Sequence, residues 1–179
     1  MDPIKILEKY YQYNSKLWTV LVAHSKAVRD KALEVTANHP ELNADTLFIA
    51  EAALLHDIGI FLTNAPDLFC VGDLPYICHG YLGRELLEKE GYPRHALVCE
   101  RHTGTGLSLS DIQMQNLPIP HRDMLPVSIE EEIICFADKF YSKSHDLRTP
   151  KKVTQIRKSM AKHGENQIQR FDHWCERFL

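Results

Sequence analysis

Apolar residues recur along most of this 179-residue chain with the 3.6-residue period of an α-helix. Leu21 and Val28 belong to one such stripe, and Phe171, Trp174 and Phe178 belong to another. Alternation of apolar and polar residues around two-residue hairpin turns, the signature of paired strands, is not convincing anywhere in the sequence. We therefore predict an all-α fold, with the aromatic stripe near the end serving as core or as a dimer contact.

The length fits one domain, because a chain of this size can bury a substantial core. The sequence shows no internal repeat and no domain boundary, so we predict a single domain over residues 1–179. Two stretches, Phe61–Pro75 and Leu107–Val127, lack a clear period and are predicted to be long loops. Loops of this length are often functional, so we expect substrate specificity there.

Residues with capping propensity set the predicted ends of two helices that matter for function. Asn43 is predicted to cap a helix that leads to His56 and Asp57, with Gly59 ending it. Ser128, followed three residues later by glutamate, is a capping-box pattern for a later helix.

Charge and cysteine usage exclude several classes of protein. The formal net charge of −3 argues against a protein that mainly coats nucleic acid, which normally needs a basic face. The five cysteines are odd in number and lack the close pairing of zinc ribbons or redox motifs, so we expect reduced thiols. The sequence lacks an apolar leader and any run approaching ~18 apolar residues, so we expect a cytoplasmic protein without membrane spans.

Six polar residues occupy helix positions where the period expects apolar side chains. A buried carboxylate without a partner is costly, and a divalent ion would satisfy carboxylates and imidazoles together. Mixed imidazole and carboxylate ligands suit iron, manganese, nickel, zinc or magnesium. Each of these histidines alone would more commonly be an ordinary core residue, but six in compatible positions indicate a metal site. The six are His24, His56, Asp57, His79, His102 and Asp138.

The adjacent pair His56 and Asp57 suggests more than one ion. Neighbouring residues on a helix point about 100° apart, so both can face one ion only where the helix ends. A carboxylate there can instead bridge two ions, which fits the surplus of imidazole donors. Two ions close together can activate water and hold a phosphoryl group.

This ordered series resembles the H…HD…H…H…D pattern of the HD-domain phosphohydrolase superfamily, and residues 56–59 spell its HDIG form. The resemblance covers roughly residues 18–145, which leaves a helical extension over about 150–179. It implies a helical HD/phosphodiesterase-like bundle with one metal on His24, His56, Asp57 and Asp138. The presence of both His79 and His102 is similar to the binuclear members, in which the aspartate bridges.

Two subgroups are similar in finer detail, namely small stand-alone HDIG proteins and bacterial HD enzymes that split dinucleoside tetraphosphates. The resembling segments are Cys78–Gly80, Arg101–Gly106 and Phe136–Asp138. Ile60 follows HDIG where the cyclic-di-GMP-cleaving branch has lysine, and a GYP segment is missing. Hydrolysis of cyclic-di-GMP is therefore not expected.

Cationic residues near the series are candidates for contacting substrate. Lys139, Arg101 and Arg84 can bind phosphate oxygens, although solvated helix surface is the alternative for each. We predict catalytic roles for Asp57, Lys139 and Arg101. The Thr103–Gly106 stretch either donates backbone N–H groups to an anion or simply ends a helix.

The predicted function is hydrolysis of a phosphoester or phosphoanhydride bond by metal-activated water. The expected cofactors are divalent metal ions, two of them if the binuclear resemblance holds, and the expected partner is a phosphorylated small molecule such as a nucleotide or dinucleoside polyphosphate. Two alternatives remain open at this stage: a di-iron oxygenase on the same scaffold, and a non-catalytic nucleotide-sensing module.

Overall fold

The computed structural model of the protein describes residues 1–143 and 149–179. The fold is mainly α-helical, which confirms the predicted class. The predicted end of the core, at about residue 145, lies outside the described residues. The described part contains α1 (Pro3–Leu7), α2 (Lys16–Asn38), α3 (Thr46–Leu55), α4 (His79–Lys89), α5 (Pro93–Arg101), α6 (Leu109–Met114), α7 (Ile129–Asp138), α8 (Val153–Met160) and α9 (Glu165–Phe178).

Side-chain caps start two of the helices that carry the polar series, α3 and α7. Asp45 caps α3 by accepting a hydrogen bond from Phe48 N, so the prediction of Asn43 as the cap is wrong. Asn43 instead adopts a left-handed conformation (φ 49°) after a short 3-10 helix, a backbone geometry that asparagine tolerates well. Ser128 caps α7 as predicted, by accepting from Glu131 N, but the Glu131 side chain accepts from Val127 N rather than Ser128 N, so the capping box is only half formed.

The stretch Phe61–Pro75 was predicted to be a loop and contains a small sheet. Its strands are β1 (Thr63–Ala65), β2 (Cys70–Val71) and β3 (Leu74–Pro75), in the order β2-β1-β3. β1 pairs antiparallel with β2 and parallel with β3. Strands of two or three residues are too short to display a period-two pattern, which explains the missed prediction.

The second predicted loop, Leu107–Val127, contains the short helix α6. Ser108 and Asp111 cap it reciprocally, each side chain accepting from the other residue's backbone N–H. Leu107 and Met124 form two backbone hydrogen bonds with each other, of 2.7 and 3.0 Å, which hold the two ends of this segment together.

Buried apolar side chains form two main clusters. One joins α2, α3 and α7 to the C-terminal helices through Ile156, Phe171 and Trp174, so the aromatic stripe is core. The other joins α1 to α2, α3, α4 and α5. Because α2, α3 and α5 contribute to both clusters, packing on two sides fixes the helices that carry the polar series. Among the described residues, none of the helices combines the length and apolar character that crossing a bilayer requires.

Candidate metal centre

All six polar residues of the series lie close together in the interior of the protein, and five different helices position them. His24 lies within α2, and His56 and Asp57 follow α3 directly. The others lie at the first residue of α4, just after α5, and at the last residue of α7. The exposed fraction is at most 5% for His24, His56, Asp57, His79 and His102, and 12% for the side chain of Asp138.

Gly59 brings the His56–Asp57 turn close to α4, and its role differs from the prediction. The helix ends at Leu55, and Gly59 has a right-handed φ of −82°, so it is not a left-handed stop. A Cβ atom on Gly59 would lie 2.6 Å from Gly83 N and closer still to His79 O. Glycine is therefore required for the close approach of two backbones, which sets Asp57 beside His79.

The carboxylate of Asp57 divides the histidines into two pairs. Its Oδ2 atom lies 3.3 Å from His24 Nε2 and 3.0 Å from His56 Nε2. Its Oδ1 atom lies 3.5 Å from His79 Nε2 and 3.4 Å from His102 Nε2. One carboxylate oxygen thus faces each pair, which is the arrangement that a bridging ligand needs.

Asp138 completes the side of the centre that contains His24 and His56. Its Oδ1 atom lies 2.9 Å from His24 Nε2 and 3.5 Å from His56 Nε2. The ligand atoms of His24, His56 and Asp138 all lie within 4.8 Å of one another, close enough to hold a metal ion. The same holds for the ligand atoms of His56, Asp57 and His102.

Three of the histidines are oriented by the same backbone contact. Their Nδ1 atoms lie 2.7 Å (His56), 2.6 Å (His79) and 2.7 Å (His102) from the carbonyl oxygen three residues earlier. A carbonyl oxygen can only accept, so each Nδ1 must carry the proton. In its neutral form, a ring held in this way presents the Nε2 lone pair, as metal-binding histidines do.

The buried polar atoms at the centre are mostly acceptors, so they would be paired better by a cation than by one another. His79 Nε2 and His102 Nε2 lie 3.0 Å apart, and two lone pairs at that distance repel unless a positive group lies beside them. Within the described residues, hydrogen bonds of good geometry reach neither His56 Nε2 nor Asp57 Oδ1, while Asp57 Oδ2 lies 2.6 Å from the ammonium group of Lys143. Buried polar atoms are normally paired, so the donor set matches a divalent ion.

The pKa values separate His79 and His102, which favour the neutral, ligating form, from His56, which must lose a proton to bind a metal. Burial, with a further contribution from His102, lowers the pKa of His79 to about 3, and burial also lowers the pKa of His102. Burial opposes protonation of His56, but the carboxylates of Asp57 and Asp138 outweigh it and raise its pKa to about 9. Burial alone would raise the pKa of both carboxyls, yet neighbouring cationic groups hold both well below the usual range.

Two lysines lie at the centre, one predicted and one missed. Lys139 Nζ lies 2.7 Å from Asp138 Oδ2 and donates to His102 O at 3.1 Å, so it is not solvated helix surface. Lys143 Nζ lies 2.6 Å from Asp57 Oδ2, and the sequence analysis did not single it out. Lys143 lies five residues beyond the end of α7, so helical periodicity gave no signal for it.

The structure does not support the predicted phosphate contacts of Arg101 and Arg84. One guanidinium nitrogen of Arg101 donates to both carboxylate oxygens of Glu131, at 2.9 Å each. Arg84 is paired with Glu88 and with the buried Glu100. Both arginines are therefore engaged in ion pairs that tie elements together, and phosphate would have to compete with those carboxylates.

The Thr103–Gly106 stretch forms a turn held by α9, and the amides of Thr105 and Gly106 are already hydrogen-bonded within the protein. Thr105 N donates to Gln167 Oε1 at 2.7 Å, and Gln167 Nε2 donates to Gly106 O at 2.8 Å. Arg170 also donates to Thr105 O, at 3.0 Å. The helix-ending interpretation is therefore the one that the structure supports.

Known proteins resemble this chain over its central part. The family model described as HD domain matches residues 21–142. A tRNA (cytidine(56)-2'-O)-methyltransferase of Picrophilus torridus is 32% identical over 124 residues, which cover 69% of this chain and 32% of that protein. A protein of the same name from Thermoplasma volcanium is 28% identical over 153 residues, covering 85% of this chain and 40% of that protein.

A third relative is an uncharacterized protein of Methanocaldococcus jannaschii, 31% identical over 121 residues, which cover 66% of this chain and 64% of that protein. The chain thus spans between about a third and two thirds of the length of the curated relatives that it matches. No solved structure matches the chain. With the matched segment containing all six polar residues of the centre, the chain belongs to the HD-domain family, a family of metal-dependent hydrolases.

Proposed function

We propose that this protein is a phosphohydrolase with two divalent metal ions, which cleaves a phosphoester or phosphoanhydride bond of a nucleotide. The observation that carries the proposal is the carboxylate of Asp57, buried between two histidine pairs with one oxygen toward each. A single ion would need only one of these pairs.

The residues divide naturally between the two ions. His24, His56, Asp57 and Asp138 would hold the first ion. Asp57, His79 and His102 would hold the second. When bound, such ions supply activated water and neutralise charge on a phosphoryl group. Iron, manganese, nickel, zinc and magnesium all accept this mixed set of imidazole and carboxylate ligands.

The chain's own cations complement that role. Lys139 and Lys143 are both largely buried, with side-chain exposures of 8% and 12%. Nearby carboxylates outweigh burial and raise the pKa of each, so both ammonium groups stay charged. Positive charge held in place beside a reacting phosphate stabilises the charge that spreads over its oxygens.

Two cavities beside the centre support a substrate with groups on both sides of the reacting phosphate. One has a volume of about 470 Å³ and the other about 430 Å³. Asp138 and Tyr141 line both cavities, so both adjoin the Asp138 side of the metal centre. A bond that joins two organic groups through phosphate, as in a dinucleoside polyphosphate, fits this arrangement.

A second candidate comes from the names of two relatives, methyl transfer to tRNA. The chain covers 32% and 40% of those proteins, so their activity need not belong to the shared part. A buried site of histidine and aspartate is suited to metal ions, and the net charge of −3 is unfavourable for binding tRNA. Calorimetric titration with S-adenosylmethionine tests this candidate, because a methyltransferase must bind its methyl donor.

The test of the main proposal is metal analysis followed by turnover. The protein, supplied with manganese, iron, nickel or cobalt, is screened against nucleotides and dinucleoside polyphosphates for release of phosphate or nucleotide. Oxygen consumption without hydrolysis would favour an oxygenase, and tight nucleotide binding without turnover would favour a sensor. Either outcome would contradict the proposal.

Metal counting tests the two-ion part separately. His79→Ala and His102→Ala should each lose about one ion, while the ion at His24 and Asp138 persists. His121→Ala is the matched control, because His121 is exposed. A stoichiometry of one metal per chain in the wild type and in both variants would contradict the second ion and indicate a mononuclear enzyme.

A further inference from the structure

The larger cavity beside the metal centre has two walls of different origin. It measures about 470 Å³, within the roughly 300–1,000 Å³ typical of small-molecule sites. Asp138 and Lys139 form the end that adjoins the centre. Ile77, Leu107 and Leu117 line one wall.

Another part of the lining comes from the C-terminal extension. Ile156, Ser159 and Met160 of α8 line it, and Lys151 lies beside Asp138 and Lys139 in the same lining. All four residues follow residue 142, where the HD-domain match ends. The family segment thus contributes the metal centre and one wall, whereas a segment outside it contributes the other wall.

The chemistry of the two walls selects a flat, largely apolar group. Aliphatic side chains and a methionine lie in these parts of the lining, and such surfaces pack well against the faces of an aromatic ring. A free sugar has little apolar surface to bury against these aliphatic side chains, so it should bind more weakly than a base. Polar side chains, including Gln115, Ser159 and Gln167, also line the cavity and can contact the edge of a ring.

We propose that this cavity binds the base of a nucleotide, and that α8 is the wall that selects it. The inference rests on the proposed function, since it places the phosphate of the same substrate at the metal centre. It also revises the expectation from the sequence, which placed specificity in the two long loops alone. Leu107 and Leu117 come from one of those loops, but the wall formed by α8 does not.

The test is a binding experiment with ligands that have no phosphate. Adenosine, guanosine, cytidine, uridine and free ribose are titrated calorimetrically into the manganese-loaded protein. At least one nucleoside should bind tenfold or more tightly than ribose. Ser159→Trp places a large ring at an exposed helix position that lines the cavity, and it should weaken that nucleoside at least tenfold.

Two further variants make the result specific. Thr154→Trp is the matched control, because Thr154 is an exposed residue of α8 outside the cavity lining, and its binding should be unchanged. Gln115→Trp fills the same cavity from another segment of the chain and should repeat the loss, which covers the case that Ser159→Trp does not fold. Melting temperatures show which variants are folded.

Equal binding of ribose and every nucleoside would overturn the inference, as would full nucleoside affinity in folded Ser159→Trp and Gln115→Trp. Failure of the proposed function has a different signature, which is the absence of nucleotide hydrolysis by the wild type. Selective nucleoside binding without hydrolysis would therefore uphold the cavity assignment and reject the enzyme. Hydrolysis without base selectivity would uphold the enzyme and reject the cavity assignment.

Discussion

Replacing Gly59 with alanine should change the stability of the protein in two opposite ways, one through backbone conformation and one through the contacts of the new Cβ atom. Gly59 has φ −82° and ψ −4°, a conformation that alanine adopts readily, so backbone propensity alone would stabilise the protein by about 1 kcal/mol. The new Cβ, however, would lie 2.6 Å from Gly83 N and nearer still to His79 O. Both contacts are with backbone, which cannot rotate away.

The cost of the Cβ contacts should exceed the gain from backbone propensity. Overpacking costs about 1–3 kcal/mol, and overlap with fixed backbone belongs at the upper end of that range. Subtracting the propensity gain leaves a loss of about 2 kcal/mol in the free energy of unfolding. For a chain of this length that corresponds to a fall of roughly 4–8 °C in melting temperature. The displaced start of α4 carries His79, so the second ion should also be lost, because ligand distances tolerate only about ±0.2 Å.

Differential scanning calorimetry and metal analysis of Gly59→Ala, each with and without manganese, measure both effects. Gly91→Ala is the control: its φ of +84° makes alanine strained, but nothing lies within 4 Å of the added Cβ. Gly91 follows the far end of the 11-residue α4, about 16 Å from His79 along the helix. The control should lose stability while it retains its metal. A Gly59→Ala protein that melts at or above the wild-type temperature would refute the reasoning.

Three further outcomes test the surrounding structure. Gln167→Ala removes three hydrogen bonds between α9 and the turn after α5. It leaves the buried amide of Thr105 unpaired, whereas Gly106 O keeps its bond from Arg170, so urea unfolding should show a loss of about 2–3 kcal/mol, absent from the exposed control Gln169→Ala. The pKa of Asp111 is lowered, because its backbone and side-chain contacts with Ser108 and its pairing with Arg170 outweigh burial. The ionised carboxylate therefore contributes fully to the free energy of unfolding above the pKa of an unfolded aspartate, and this contribution is lost as the pH falls through the folded pKa. Asp111→Asn should cost about 1 kcal/mol at pH 7 in chemical denaturation, with the difference from wild type shrinking below about pH 4; a difference independent of pH would contradict this. All five cysteines are free and four are buried, so a thiol reagent such as Ellman's reagent should modify those four only after unfolding, and rapid reaction of the native protein would contradict their burial.

Helix positions and the inward direction of the polar residues could be predicted from periodicity, whereas their convergence on one site was implied by the family resemblance. A residue on the inner stripe of an amphipathic helix must face the core, and the chain places His24 and Asp138 on such stripes. The structure brings these residues within 2.9 Å of each other. That they bind metal stays a prediction, which the proposed metal counting tests.

Partner choice could not be predicted, because it depends on neighbours distant in sequence. Arg101 is bound by Glu131, which lies 30 residues away, and no local pattern indicates that pairing. Lys143 reaches Asp57 only because two separate helices end near each other. The strands of the small sheet are similarly fixed by contacts that their two or three residues do not encode.

The hydrogen bonds from Nδ1 to the carbonyl three residues earlier have a consequence for redesign. The orienting group in each case is a backbone oxygen, contributed by Ala53, Tyr76 and Cys99. The side chains of Ala53 and Cys99 take no part in these bonds, whereas the ring of Tyr76 also stacks on His79, with the ring centroids 4.6 Å apart. The tautomer of His56 and of His102 should therefore tolerate substitutions at Ala53 and Cys99, whereas proline in the turn that contributes the accepting carbonyl would disturb it by moving that oxygen.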